Sequence, residues 1–363
     1  MQPKPLHILI SPLDWGLGHA SRCIPLIRHL ANSGHRITLA GSGRSLKMLQ
    51  IEFPNLKSIV VPGFSPTYSM SGNTILHLFL SIPGFLKSMV SEHCALRNIL
   101  NTEHIDIVIS DNRYGFRLTS VKSILITHQV MIKTPRWLRF AEYPLFRLSR
   151  LLISCFDECW IPDDAQKPGL SGDLSHKYKL PGNAGFIGSL SRFENRDLAC
   201  EQSPADRNIV AIISGPEPLR SIFEELVTRQ LREMDVTALI VGGKPESSST
   251  GNTGTKPEIL PYMETESLGK AIHSASLVIC RSGYSSAMDL QALGAKALFV
   301  PTPGQTEQEY LAGLYHQQGI ALSRQQEQMN LPSDIKEASA YAGFKKKAVT
   351  EKYKTVLDAL QKK

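Results

Sequence analysis

Along the chain, hydrophobic and polar positions repeat one unit: a short unbroken apolar run, a turn, then a stretch whose apolar residues recur every three or four positions. Leu6 to Ser11 is the first run, and Ala20 to Ala31 sets Ile24, Ile27 and Leu30 on one face before Asn32-Ser33-Gly34 stops it. Strand, loop and helix are predicted. His35 to Ala40 then reads as a strand, Arg44 to Ile51 as a helix, and Leu56 to Val61 as a strand closed by Pro62-Gly63. IDIVIS at 105–110 and KSILIT at 122–127 are continuous apolar runs, which suits strands covered on both faces. The unit returns with IVAIIS at 209–214, VTALIVGG at 236–243, SLVICRSG at 276–283 and KALFVPTPG at 296–304. Alternating strands and helices predict parallel sheets joined by right-handed crossovers.

Between the two series, residues 191–207 are polar and rich in turn formers and read as a linker. The predicted fold class is therefore α/β, with two Rossmann-like doubly wound domains facing a central cleft. The expected boundaries are 1–190 for the first domain and 208–340 for the second, followed by a helix over 341–363 that packs back on the first. The Lys-, Ala- and Glu-rich tail from Asp334 to Lys363 predicts one long helix, with Lys345-Lys346-Lys347 on a solvated face. Sheets of this kind bind ligands at the carboxyl ends of their strands.

Composition then narrows the partners. With 363 residues, 42% of them hydrophobic, the chain can bury two cores. Its net charge of +7 suits nucleic acid, anionic lipid or an acidic small molecule. Nucleic acid is set aside, because no zinc-finger spacing, basic heptad region or aromatic and basic RNA-binding signature is present. The six cysteines are scattered and read as reduced thiols, since Cys155 and Cys159 have no second pair to complete a zinc site. The start, MQPKPLHILIS, has no signal-peptide pattern, and no apolar run reaches the roughly 20 residues of a membrane span. A cytoplasmic protein is expected, with any membrane contact peripheral and at the inner face.

The loop SPLDWGLGHASRC at 11–23 follows the first strand. As a dinucleotide fingerprint it fails, because Ser21 stands where a third glycine belongs and the second strand ends at Ala40-Gly41-Ser42-Gly43 without a carboxylate for a ribose. Arg44, facing the extra phosphate of NADP, would be the only support for a dehydrogenase. The second half carries a sharper pattern. A strand runs into Arg281-Ser282-Gly283, a helix begins near Ser285, and Asp289 follows one turn inside it. Small residues there admit a ligand, the free N–H groups of the helix start attract a diphosphate, and a carboxylate one turn in can accept both hydroxyls of a ribose. Ser282 and Ser285 capping a helix whose dipole Asp289 complements is the rival account.

From Ala275 to Tyr310 the chain resembles the C-terminal domain of glycosyltransferase family 28, on the strand exit SLVICRSG, an acidic residue followed by LQALG, the strand ALFVPTP and the segment QTEQEY. GLGHASRCIPLIRHL fits the family's N-terminal glycine loop, and IISGPEPLR at 212–220 occupies the place of its second one, with Gly215 at the turn. The resemblance implies a two-Rossmann transferase of the GT-B type, the sugar nucleotide held by the C-terminal half and the acceptor by the N-terminal half. Asp289 stands where the family has a glutamate gripping the donor ribose, and Gln308 where a glutamine touches the donor sugar. Glu309 and Ala312 replace a second glutamine and an asparagine of the family's N-acetylglucosaminyl transferases, which points to a different donor sugar. SGPEP lacks the usual second glycine. The other common transferase architecture holds a metal with an Asp-x-Asp triplet, and this chain has none, so no metal and no cofactor is expected; the leaving diphosphate falls to helix N-termini and to Arg281 or Lys244.

In the first half, His19 follows Gly16-Leu17-Gly18, where an imidazole can take a proton from an acceptor hydroxyl, with Asp14 as a second base or an orienting partner. A histidine that merely caps the helix is the alternative. Asp111, Asn112 and Arg113 after IDIVIS, and His128-Gln129 after SILIT, lie where strands end, and with Gly16 and Gly18 they are expected to meet the acceptor. Residues 74–90 are strongly apolar, and 131–153 mixes Trp137, Phe140, Tyr143, Phe146 and Leu148 with Lys133, Arg136, Arg139, Arg147 and Arg150. Such a segment either rests on anionic lipid or is a buried helix with snorkelling arginines. The leading reading is transfer of a sugar from a UDP-sugar to an acceptor hydroxyl, including a lipid-linked one, by inverting displacement. A UDP-sugar hydrolase of the same fold, and a non-catalytic sugar-nucleotide or lipid binding protein, are the alternatives.

Overall fold

The computed structural model describes residues 5–63, 74–193, 209–247, 256–346 and 352–360. The chain divides into two compact units, one of residues 1–192 with 350–363 and the other of residues 193–349. Most of the stretch read as a linker, and the third lysine of the 345–347 run, lie outside the described residues.

The first unit has seven strands: β1 (His7–Pro12), β2 (Arg36–Gly41), β3 (Lys57–Val60), β4 (Ile107–Asp111), β5 (Lys122–Ile126), β6 (Glu158–Ile161) and β7 (Ala184–Phe186). They form one parallel sheet in the order β3-β2-β1-β4-β5-β6-β7. Its helices are α1 (Leu17–Asn32), α2 (Gly43–Glu52), α3 (Thr74–Thr102), α4 (Glu142–Ile153) and the single turn α5 (Asp173–His176). β1 and β4 are buried along their whole length, which is why their sequences are apolar at consecutive positions rather than alternate ones. One core layer sets Leu9, Ala40 and Val108 against Leu96 and Ile99 of α3. The loop after β4 comes close to that helix: a Cβ on Gly115 would lie 2.1 Å from the Met89 carbonyl oxygen, so only glycine fits.

The second unit repeats the plan with β8 (Ile209–Ile212), β9 (Ala238–Val241), β10 (Glu258–Leu260), β11 (Leu277–Cys280), β12 (Ala297–Phe299) and β13 (Leu322–Ser323). They are parallel, in the order β10-β9-β8-β11-β12-β13. α6 (Leu219–Arg232), α7 (Thr265–Ser274), α8 (Tyr284–Leu293), α9 (Thr306–Gln317) and α10 (Leu331–Ala338) flank the sheet. Phe223, Val227 and Leu231, spaced for one helical face, pack on Ile209, Ala211 and Ile240. In each sheet the chain reverses direction beside its first strand, between β1 and β4 and between β8 and β11. These switch points are where doubly wound sheets open to ligands.

Two expectations need correcting. α1 begins at Leu17, with Gly16 as its N-cap at φ 124°, so His19 belongs to the first helical turn and not to the loop. The tail is not one helix: α10 ends at Ala338, residues 341–346 run without regular structure, and the last helix, α11, is Lys352–Ala359. The cause is tertiary. Ala342 and Gly343 donate to the carbonyls of Gly319 and Ile320, Phe344 donates to that of Ala295, and the Phe344 ring is buried against Phe299 and Tyr315. α11 packs on α1, where His29 Nε2 lies 2.8 Å from Asp358 Oδ1 and Tyr353 meets the His29 ring edge-on.

Candidate active site

At the switch point of the first sheet, β4 delivers Asp111 to the carboxyl edge beside the exit of β1. The carboxylate is fully buried, and α1 supplies its partners. Arg22 grips it with two bonds, from Nε to Oδ2 at 2.5 Å and from Nη2 to Oδ1. His19 Nδ1 lies 2.9 Å from Oδ1, and the Cys23 thiol reaches Oδ2 at 3.7 Å. His19 and Arg22 share a helix face because they are three residues apart. Burial alone would raise the Asp111 pKa, but the charges of Arg22 and His19 and their hydrogen bonds hold it far below the usual carboxylate range. Burial, with Asp111 beside it, pushes the Cys23 thiol well up and keeps it protonated.

His19 Nδ1 lies 2.9 Å from both Asp111 Oδ1, which only accepts, and Arg22 Nη2, which only donates; when the ring bonds Asp111 its proton is on Nδ1. That leaves the Nε2 lone pair on a ring whose side chain is 15% exposed. Arg22 Nη1 also lies 2.9 Å from Nδ1 of the buried His128; a guanidinium only donates, which puts the His128 proton on Nε2. An oriented base beside a buried, charge-compensated acid results.

In the second unit, β11 runs into Arg281-Ser282-Gly283 and α8 starts with Gly283 as an N-cap that offers no side-chain oxygen. Gly215, at φ 120°, turns the chain out of β8 next door. Arg281 is buried: Nη1 donates to the carbonyls of Val300 and Pro301, and Nη2 to that of Leu219 and to Gln326 Oε1. Its guanidinium carbon stands 4.0 Å from the centre of the Phe223 ring. Burial brings its pKa down to about 9, with Glu327 acting only from a distance.

Residues 224–360 match the glycosyltransferase family 28 C-terminal domain. The chain is a glycosyltransferase whose residues 224–360 are similar to the family 28 C-terminal domain. An uncharacterized glycosyltransferase of Methanosarcina acetivorans is 25% identical over 327 residues, 86% of this chain and 84% of its own. A UDP-N-acetylglucosamine--N-acetylmuramyl-(pentapeptide) pyrophosphoryl-undecaprenol N-acetylglucosamine transferase of Pseudomonas savastanoi pv. phaseolicola is 27% identical over 93 residues, 24% of this chain and 26% of its own. Among solved structures, spinosyn rhamnosyltransferase SpnG in complex with thymidine diphosphate superposes with a TM-score of 0.60 at 15% identity, over 98% of this chain and 95% of its own. Both units share the parallel Rossmann-like architecture of GT-B transferases.

Within this glycosyltransferase, several residues expected to face ligand are engaged elsewhere. Arg113 is buried in an ion pair with Glu92 of α3, Nε to Oε1 at 3.1 Å, and also bonds the Pro62 carbonyl. It ties the β4 exit to α3 instead of lining an open edge. Asp14 accepts from Ser45 N at 3.0 Å, holding the start of α2, so Asp111 is the partner that orients His19. The Gly18 carbonyl accepts from Ser21 Oγ, and that of Gly16 from Ser45 Oγ. Lys244 Nζ lies 3.0 Å from Glu224 Oε2. Ser282 Oγ donates to the Gln308 carbonyl, Gln308 Oε1 accepts from Thr302 N, and Glu309 Oε1 accepts from Gly304 N, so these three side chains shape the turn after β12. Ser285 sits in the first turn of α8 and Asp289 is buried in its second.

Sequence reading passed over Arg22 because it lies inside an apolar helix pattern. Its signal is chemical: an arginine between Ser21 and Cys23 on a buried face, one turn after the histidine, needs a buried carboxylate.

Proposed function

We propose that the protein transfers a sugar from a nucleoside diphosphate donor, a UDP-sugar, to the hydroxyl of a lipid-linked acceptor at the inner face of a membrane, with inversion at the anomeric carbon. The observation that carries the reading is His19, with Nδ1 on the buried Asp111 and no partner for Nε2 among the described residues. In the step, the acceptor O–H proton passes to His19 Nε2. The oxygen forms a bond to the anomeric carbon, and the bond from that carbon to the diphosphate breaks, its electron pair leaving with the phosphate oxygen. A single displacement inverts the centre. The amides at the start of α8 and the charge of Arg281 favour the departing diphosphate.

A nucleoside diphosphate agrees with the thymidine diphosphate named for the SpnG complex, and a UDP-sugar and an undecaprenol-linked acceptor with the name of the Pseudomonas relative. A membrane-bound acceptor agrees with the face of the first unit at 136–151. There Trp137, Phe140, Tyr143, Leu148 and Leu151 are exposed beside the exposed Arg136, Arg139, Arg147 and Arg150. Glu142, Phe146, Ser149 and Ile153 form the buried side of α4, so its arginines stand in solvent and do not snorkel from a core.

The test incubates the full chain with a panel of UDP-sugars and measures UDP release with and without membrane lipid extract. Release that needs the extract, and that falls by about 10²–10⁴-fold in His19→Ala, is the expected result. Equal release without any acceptor identifies a hydrolase, and none with any sugar nucleotide identifies a binding protein.

A further inference from the structure

Trp15 stands four residues before His19 and is 41% exposed, whereas Trp160 of β6 is buried. A single exposed apolar residue is ordinary on a protein surface. What sets this one apart is the frame that carries it. Leu13 N donates to the Asp111 carbonyl at 3.1 Å, and Ser45 Oγ lies 3.2 Å from the carbonyls of both Leu13 and Gly16. Asp14 accepts from Ser45 N at 3.0 Å, and Gly43, at φ 52°, has no room for a Cβ beside that carboxylate. The chain is fixed on both sides of the indole, so a rigid mount presents the ring to solvent.

The same mount ties the ring to the base. Leu13 is bonded to the backbone of Asp111, whose carboxylate meets His19; Gly16 is the N-cap of α1, and His19 lies in the first turn. Trp15 therefore stands at the carboxyl edge of the first sheet, at its switch point. On the side of α2 the bordering side chains are polar: Asp14 itself, and Ser42 and Arg44 at the helix start, all half-buried. A flat apolar face with a polar border suits a sugar ring, whose C–H face packs on an aromatic plane while its hydroxyls reach polar neighbours. An alkyl chain needs apolar surface that continues beyond one ring.

We infer that the Trp15 indole is the platform on which a sugar ring of the acceptor stacks, so that the hydroxyl receiving the transferred sugar belongs to a saccharide carried by the lipid and not to the lipid itself. The inference rests on the reading of His19 as the base for an acceptor hydroxyl. Trp15 exchanges no proton and makes no bond in the step. Its removal therefore raises the amount of acceptor needed and leaves the maximal rate in place, the signature of lost uniform binding. Phenylalanine keeps a flat ring at this position, and alanine does not.

The experiment measures UDP release by the full chain, with the UDP-sugar panel, against rising amounts of membrane lipid extract for wild type, Trp15→Phe and Trp15→Ala. A second portion of extract is treated with periodate and then borohydride, which opens sugars bearing vicinal diols and spares acylglycerol and polyprenyl alcohols. Trp15→Ala is expected to need about tenfold more extract for half-maximal release, with a maximal rate within about twofold of wild type, and Trp15→Phe to stay within about threefold of wild type in both. The treated extract should support no release. Unfolding temperature and sedimentation with phosphatidylglycerol vesicles should match wild type in both variants. Unchanged extract dependence in Trp15→Ala overturns the inference, as does full release with treated extract or a Trp15→Phe variant as poor as Trp15→Ala. Lost vesicle binding would make the indole a lipid anchor, and a lower unfolding temperature or failure to fold would make it structural; either result also overturns it. These outcomes leave the proposed transfer standing, whereas a wild type that needs no extract for release, or releases nothing, removes that reading and this inference together.

Discussion

Asp111 joins stability to chemistry in one side chain, and two substitutions separate these roles. Asp111→Asn keeps the shape but presents an amide that cannot accept from Arg22 at both positions, leaving a buried guanidinium unpaired. Breaking a buried pair of this kind costs about 3–5 kcal/mol. The variant also loses the carboxylate that orients the His19 ring, so UDP release should fall by about 10²–10⁴-fold. His19→Ala should show a similar fall in rate with a urea midpoint near wild type, because its ring is partly exposed and Arg22 keeps its carboxylate. Equal loss of stability in both variants would mean that the imidazole serves the fold. The pH dependence follows from the same pair. Asp111 has its folded pKa depressed below the unfolded value of about 3.9, so its contribution is fully present above that value and is lost as pH falls toward the folded one. Asp163, also lowered despite its burial by bonds from His176, Ser171 and Leu170, acts with the same sign. Glu92, raised by burial, acts with the opposite one. Urea midpoints should therefore drop between about pH 5 and pH 3 in wild type, and drop less over that window in Asp111→Asn.

At the scale of elements, α11 completes the first unit from the far end of the chain. Tyr353 and Leu357 are buried at 3% and 1% exposure, with Asp358 at hydrogen-bond distance from His29 of α1. Leu357→Ala should lower the stability of the first unit by about 2–3 kcal/mol through lost burial and the cavity left behind. Fluorescence of the three tryptophans, at 15, 137 and 160, reports on that unit alone, so its transition should shift while the heat absorbed by the other does not. A single transition shifting as a whole would show the units to be coupled. Legibility in the sequence follows from what made each element form. β1, β2, β4, β5, β8, β9 and β11 are continuous apolar runs, and their pattern is visible because both faces are covered. β7, β10 and β13 hold three, three and two residues at sheet edges, too short to show any period. β6 was hidden by Glu158 at its start. The break between α10 and α11 follows from Phe344 packing on Phe299 and Tyr315, a contact between distant residues that overrides the helix-forming Lys and Ala around it. At the site, the histidine and the β11 exit were legible as motifs. The partnership of His19, Arg22 and Asp111 was not, because 89 residues separate the arginine from its acid and only the β1–β4 register brings them together.

For the whole molecule, the net charge of +7 acts over distance, but its effect depends on where cations stand beside apolar surface. Trp137 and Phe140, 65% and 78% exposed, have four exposed arginines on the same short segment, and among the described residues no helix is long and apolar enough to cross a bilayer. A basic residue held near an anionic surface contributes about 1 kcal/mol, so four give about 4 kcal/mol, roughly a thousandfold in partition, before any aromatic ring enters the interface. The full chain should therefore sediment with phosphatidylglycerol-containing vesicles and not with pure phosphatidylcholine. Salt should release it, since the screening length is about 10 Å at 0.1 M. Replacing Arg136 and Arg139 by glutamine should cost about 2 kcal/mol, near thirtyfold, and flatten the salt dependence. Trp137→Ala with Phe140→Ala should weaken binding while leaving the salt dependence intact, because the rings insert and the arginines attract. Both pairs lie apart in sequence from His19 and Asp111, so neither should change UDP release to an acceptor freed of its lipid. Both should slow release to a membrane-embedded one, and if release slows equally for the two acceptors, this face serves the fold rather than the membrane.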